Sequence, residues 1–204
     1  MTSDGNGLKR VIILLGLGLI AGCGSAGPTR APEPASQPAP PVTVAVVDYD
    51  SLHERIAAHR GTVVVLDCWS TSCPPCVKEF PGLVALQDEY GDQVACLSLS
   101  FDYEGFGQLD EILPPVQAFL EQVGAHAVEN LISRDDADTL YAKFELDSVP
   151  AVFIWDRAGR QVVRFDDNLA REQLGRPFTY ADVRQAVEQA LAAQPAPDPE
   201  KEQG

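Results

Sequence analysis

The sequence predicts an α/β fold in which a central mixed β-sheet is flanked by helices. Two observations support this prediction. Apolar runs typical of buried strands, "TVVVLDCW" and "QVACLSLSF", alternate with segments of helical periodicity. The chain then continues through "VPAVFIWD" and "RQVVRF", joined by an Arg157-Ala158-Gly159 turn, which predict a β-hairpin followed by a helix. An alternation that ends in a hairpin predicts a sheet with both parallel and antiparallel strands.

The predicted helices begin at capping residues or at prolines. Asp50-Ser51 offers an N-cap for a helix to about residue 59, and Pro74-Pro75 open a helix to about residue 90. Pro81 inside this second helix predicts a kink, because proline has no amide hydrogen to donate. The remaining predicted elements are a helix from Pro114 to about residue 123, a short strand at "NLIS", and helices over 135–144 and 180–193.

The N-terminal segment has the order of a secretory signal. Lys9-Arg10 precede the apolar run "VIILLGLGLIAG", and Cys23 follows it directly. Residues 20–23, "IAGC", resemble the lipobox of bacterial lipoproteins. This resemblance implies that residues 1–22 are a signal peptide and that Cys23 carries the lipid. The alternative is an uncleaved signal anchor in which the cysteine is incidental.

The segments on either side of the predicted domain have a different composition. Residues 23–43 are rich in proline and alanine, so we predict an extended tether between the lipid and a domain over residues 44–193. Residues 194–204 predict a disordered tail. The sequence therefore predicts a protein of the cell envelope, outside the cytoplasm, held at a membrane by a lipid anchor.

The charge balance excludes one class of partner. The 204 residues include 30 Asp and Glu against 15 Lys and Arg, which gives a formal net charge of −15 at pH 7. We expect no nucleic acid partner, because no basic patch is present to pair with phosphates. Two acidic clusters, "FDYEG" and "RDDAD", fit loop and helix-cap chemistry better than a metal site, with calcium as the alternative.

Two cysteines, Cys73 and Cys76, lie between a predicted strand and the first turn of a predicted helix. A cysteine attacks a disulfide as its thiolate, and the amides at a helix N-terminus lower the pKa of such a thiol. Cys76, one turn later, can resolve a mixed disulfide. Because Pro74 and Pro75 remove two amide donors, we expect only moderate acidification of Cys73, which favours a reductant or isomerase over a strong oxidant.

The strand "VVVLDCW", the "CPPC" that opens a helix, Pro81 and the late "SVPAVFIWD" together resemble the thioredoxin superfamily. The resemblance is closer to its extracytoplasmic TlpA/ResA-type, redoxin-like thiol–disulfide oxidoreductases and covers about residues 44–193. It implies a thioredoxin-like fold, Cys73 as nucleophile, Cys76 as resolving thiol, and no cofactor or metal. It also implies thiols or disulfides of exported proteins as partners, with an unidentified electron donor in the membrane or periplasm.

Four further residues match positions near the dithiol in that family. Pro150 matches the cis-proline beside the active site, and Val149 before it offers its backbone to a substrate peptide. Asp67 matches the buried acid beneath the dithiol, either as a proton relay or as a hydrogen-bonded structural acid. Trp69 matches an aromatic beside the site, either as a core side chain or as part of the substrate surface.

The sequence departs from the family pattern next to the dithiol. Ser72 stands where tryptophan is common, which predicts a flatter and more polar docking surface. Cys68 replaces a typical phenylalanine, and Cys68 and Cys96 are either small buried side chains or a second disulfide. Two other functions stay open: a redoxin-class thiol peroxidase, with Ser70 three residues before Cys73, and a Cu(I)-binding chaperone on the same fold.

Overall fold

The computed structural model of the protein describes residues 41–193, which contain a six-stranded sheet covered by helices on both faces. The predicted lipid site at Cys23, the signal peptide 1–22, most of the tether and the tail 194–204 lie outside the described residues. Within residues 41–193, no helix combines the length and the apolar character needed to cross a lipid bilayer.

The sheet is mixed, as the sequence predicts. Its strands are β1 (Val44–Val47), β2 (Val63–Trp69), β3 (Val94–Ser100), β4 (Glu129–Ser133), β5 (Ala151–Trp155) and β6 (Gln161–Asp166). Their order across the sheet is β1-β4-β3-β2-β5-β6. Strands β1, β4, β3 and β2 run parallel to one another. Strand β5 runs antiparallel to β2, and β6 runs antiparallel to β5. Strand β2 is therefore central and is buried along its whole length.

Helices cover the two faces unequally. They are α1 (Tyr49–Ala58), α2 (Pro74–Glu79), α3 (Pro81–Tyr90), α4 (Leu109–Gln122), α5 (Ala137–Phe144), α6 (Asp167–Leu174) and α7 (Tyr180–Ala192). Helices α1 and α5 pack on the face that carries Val64, Leu66 and Cys68, and the others pack on the face that carries Val65 and Trp69. The alternation of side chains along β2 thus supplies two separate apolar layers.

The predicted kink at Pro81 is a break between two helices. Phe80 keeps a right-handed helical conformation and joins α2 to α3, and its amide still donates to the carbonyl of Cys76 at 2.9 Å. Pro81 has no amide hydrogen for the carbonyl of Val77, so the helical ladder is interrupted there. Both cysteines therefore lie at the start of the short helix α2, ahead of the break at Pro81.

Two predicted helix starts are wrong. Helix α1 is capped by Asp48 rather than by Asp50, because the Asp48 carboxylate accepts the amide of Ser51 at 2.9 Å and the Ser51 hydroxyl accepts the amide of Asp48. Helix α4 begins at Leu109, five residues before the predicted Pro114, with a capping box between Gln108 and Glu111. Strand β1 and helix α6 were not predicted.

Candidate active site

Cys73 and Cys76 form a disulfide at the end of β2. Cys73 is the N-cap residue of α2, and its Sγ accepts the amide of Cys76 at 3.2 Å. Pro74 and Pro75 occupy the first two helical positions, so the amide of Cys76 is the first that α2 can direct at the sulfur. Cys73 is half-buried, whereas Cys76 is only 3% exposed. An external sulfur can therefore reach Cys73 but not Cys76.

The segment before β5 lies against the disulfide. The Val149–Pro150 peptide bond is cis, and the carbonyl oxygen of Val149 lies 3.5 Å from the Sγ of Cys73. Val149 is half-buried and Pro150 is buried. The structure thus brings together the two cysteines and the Val149-Pro150 pair, which are more than seventy residues apart in the sequence.

The loop before Cys73 is held by Asp102, a residue that follows β3. Its carboxylate accepts the amide of Thr71 at 3.0 Å, the hydroxyl of Ser70 at 3.1 Å, and the hydroxyls of Thr71 and Ser100. This contact is one that the strand pattern can predict, because the loops that follow two neighbouring parallel strands leave from the same edge of the sheet. Ser70, the residue on which the peroxidase alternative rests, donates its hydroxyl to Asp102 and shares a hydrogen bond with the Ser72 hydroxyl.

Asp67 lies on the face of β2 that packs against α2, and it is 4% exposed. Burial raises the pKa of its carboxyl to about 7, although a hydrogen bond from the Tyr180 hydroxyl works in the opposite direction. Burial, together with the charge of Asp67, raises the pKa of Tyr180 well above its usual value, so the phenol stays protonated and donates. Asp67 is therefore a buried acid with a near-neutral pKa, on the face of β2 whose apolar layer also contains Cys76.

Tyr180 reaches Asp67 because α3 has no side chain at Gly82. A Cβ atom at position 82 would lie 2.2 Å from Cγ and 2.4 Å from Cβ of Tyr180, so the ring packs directly on the α3 backbone. Sequence reasoning identified Tyr180 only as the first residue of a helix. No local pattern links it to Asp67, which is 113 residues away.

Trp69 is a core side chain and not part of a substrate surface. It is 0% exposed, and its ring lies 4.8 Å from the ring centroids of both Phe80 and Phe119. Its indole nitrogen finds no hydrogen-bond partner among the described residues. Of the two interpretations of Trp69, the substrate contact is wrong, because a fully buried ring cannot touch an incoming protein.

Cys68 and Cys96 are free, buried thiols. Cys68 packs in the layer beneath α1 and α5, whereas Cys96 packs in the opposite layer, so the sheet separates the two sulfurs and the possible second disulfide is not formed. Burial, with a smaller effect of the Asp67 charge, raises the pKa of both thiols. Within residues 41–193, no group of three or more His, Cys, Asp or Glu side chains is placed to hold a metal ion.

Comparisons with known proteins agree with this fold. No family model matches the chain. The thioredoxin-like protein YneN of Bacillus subtilis (strain 168) is 40% identical over 42 residues, which is 21% of this chain and 25% of that protein. The match therefore spans a quarter of that relative's length.

Solved structures match over a longer range. The thioredoxin-like superfamily protein SPOA0173 is 19% identical with a TM-score of 0.53, covering 69% of this chain and 87% of that one. The exposed lipoprotein thioredoxin Etrx1 of Streptococcus pneumoniae strain TIGR4 is 15% identical with a TM-score of 0.49, covering 66% and 89%. The mixed sheet, its strand order and the match to SPOA0173 show that the chain has a thioredoxin-like fold.

Proposed function

We propose that the protein is an extracytoplasmic, TlpA/ResA-type thiol–disulfide oxidoreductase that exchanges disulfides with exported proteins. One observation supports this function above the others. A disulfide lies at the N-terminus of α2 with one sulfur reachable from solvent and the other buried. This asymmetry gives the two sulfurs different roles, with Cys73 as the nucleophile and Cys76 as the resolving thiol.

The reaction starts from the reduced dithiol. The Cys73 thiolate attacks a substrate disulfide, forms a mixed disulfide and expels one substrate sulfur as a thiolate. Cys76 then loses its proton and attacks the Sγ of Cys73, which forms the Cys73–Cys76 disulfide and releases the second substrate thiolate. Two electrons pass to the substrate, whose thiolates take up protons, and a dithiol electron donor returns the protein to its reduced form.

In this mechanism Asp67 takes the proton of Cys76. The support is its place on the face of β2 whose apolar layer contains Cys76, together with a pKa raised to about 7, which lets the carboxyl accept and release a proton near neutral pH. The peptide segment of the substrate lies beside Val149 and Pro150, since the Val149 carbonyl borders Cys73 and Val149 lines the adjoining cleft. Because only the Cys76 amide reaches the Cys73 sulfur, the proposed direction is reduction or isomerisation.

The test of this function is a variant in which the resolving step cannot occur. Cys76→Ser is expected to capture substrate proteins as stable mixed disulfides on Cys73, since no second sulfur is present to release them. Non-reducing electrophoresis followed by mass spectrometry measures the adducts and locates the modified cysteine. The matched variant Cys73→Ser/Cys76→Ser should give none, and adducts of equal abundance on both variants, or on neither, would contradict the proposed mechanism.

We also propose that the protein is anchored to the membrane through a lipid on Cys23. The basic pair, the apolar run and the "IAGC" order support this location, with residues 23–43 as the tether. Cys23→Ser is expected to abolish incorporation of labelled fatty acid and to retain the uncleaved precursor. Incorporation that persists in this variant would rule out Cys23 as the lipid site.

A further inference from the structure

A cleft of about 720 Å³ opens beside the disulfide, and its walls are acidic. It is bordered by Cys73 and Val149 and contains the carboxyl groups of Asp102, Glu104 and Asp138. None of the described residues that line it is a lysine, an arginine or a histidine. Any segment that reaches the Cys73 sulfur from this side therefore meets only negative formal charges.

These negative charges are not neutralised by neighbours. Glu104 and Asp138 are exposed, and neither forms an ion pair within residues 41–193. Asp102 accepts hydrogen bonds from hydroxyls and an amide, which are neutral and leave its charge in place. The pKa of Tyr141 in the same cleft is raised by burial first and then by charges that include Asp138 and Asp102.

An aromatic side chain is displayed at the same cleft. Phe106 lines it and is 82% exposed, the largest exposed fraction among the large hydrophobic side chains of the described residues. It lies between Gly105 and Gly107, whose φ angles of 81° and 75° fall in the left-handed region that favours glycine. Phe106 thus supplies an exposed aromatic surface beside the disulfide. Ser72, which stands where the resembled family commonly has a tryptophan, supplies none.

We propose that this cleft selects its substrates by charge, an inference that rests on the proposed function. Its occupant is a cysteine-bearing protein segment with basic residues and an apolar side chain near the cysteine. The basic residues are attracted by Glu104, Asp138 and Asp102, and the apolar side chain packs on Phe106. A second copy of this chain does not fit the cleft, because its net charge of −15 repels an acidic surface.

The experiment uses the oxidised full-length chain and single-cysteine peptides that differ only in flanking residues. One peptide has Lys and Phe beside the cysteine, and the others replace Lys with Glu or Phe with Ser. Each rate of attack on the protein disulfide is divided by the rate of the same peptide with hydroxyethyl disulfide, which removes differences in thiol pKa. We expect the Lys-Phe peptide to react roughly tenfold faster than the Glu-Phe peptide at low salt, with the ratio falling as salt is added.

Variants of the cleft separate a local effect from the overall charge. Glu104→Gln/Asp138→Asn is expected to reduce the Lys-over-Glu preference about threefold or more, and Phe106→Ser to remove the Phe-over-Ser preference. The control Glu54→Gln/Asp92→Asn makes the same charge change at exposed residues outside the cleft and should retain the preference. If the peptides react at equal normalised rates, or if the control variant loses as much of the Lys-over-Glu preference as the cleft variant, this inference alone is overturned. Failure of the oxidised protein to react with dithiothreitol overturns the proposed function as well.

Discussion

Replacing Cys73 with serine is expected to lower the rate of thiol–disulfide exchange by on the order of 10³-fold. A serine hydroxyl is not ionised near neutral pH, so the nucleophile is lost. Cys76 cannot take over, because it is 3% exposed and lies behind Cys73 on α2. The measurement is the rate at which the protein reduces a disulfide-bonded protein substrate in the presence of excess dithiol.

Cys96→Ala is the matched control for this loss. It also removes one sulfur, but from a buried thiol whose pKa is raised by burial and which takes no part in the proposed exchange. We expect its rate to equal that of the unchanged protein. A Cys73→Ser protein that keeps a substantial fraction of the rate, or a Cys96→Ala protein that loses as much, would show that exchange does not depend on the solvent-reachable sulfur.

The parts of the fold that could be predicted are those with a local signal. Strand β2 was evident because a strand buried on both faces needs an uninterrupted apolar run. The start of α4 was not, because Pro114 is typical of a helix opening although it lies inside this helix. Strand β1 has only four residues and obtains its backbone partners from β4, which the local sequence cannot show.

The candidate site divides in the same way. The dithiol was predictable because both sulfurs and the helix start fall within four residues, and Val149-Pro150 was implied by family resemblance. Tyr180 was missed because its contact with Asp67 depends on the packing of α7 on α3. Phe106 was missed because a phenylalanine in a sequence is normally expected to be buried, and its exposure follows from the loop conformation.

The second large effect is expected at Asp67. Its pKa is about 7 in the folded protein, against an ordinary value of 3.8, because burial disfavours the charged form. Between these two pH values the folded protein holds a proton that the unfolded chain releases. The free energy of unfolding therefore falls as pH rises through this window, by roughly 4 kcal/mol in total, and levels off above pH 7.

Asp67→Asn is expected to remove this pH dependence. Asparagine is uncharged at every pH, has a similar shape, and its carbonyl can still accept the Tyr180 hydroxyl. The variant should be more stable than the unchanged protein at pH 8. The difference should shrink as pH falls toward 4, because the folded carboxyl stays protonated while the unfolded one begins to take up a proton as well. Urea unfolding of the two oxidised proteins at several pH values between 4 and 8 measures the difference, in which other titrating groups cancel.

Tyr180→Phe serves as the companion variant. This substitution removes the hydrogen bond from the Tyr180 hydroxyl, which is the one interaction that lowers the pKa of Asp67. The midpoint of the change in unfolding free energy should therefore move to a higher pH. If the free energy of unfolding depends on pH in the same way in the wild-type protein and in Asp67→Asn, burial does not raise the pKa of Asp67. A carboxyl that lowers stability at neutral pH does not help the fold, and this supports the proposal that Asp67 is used to move the proton of Cys76.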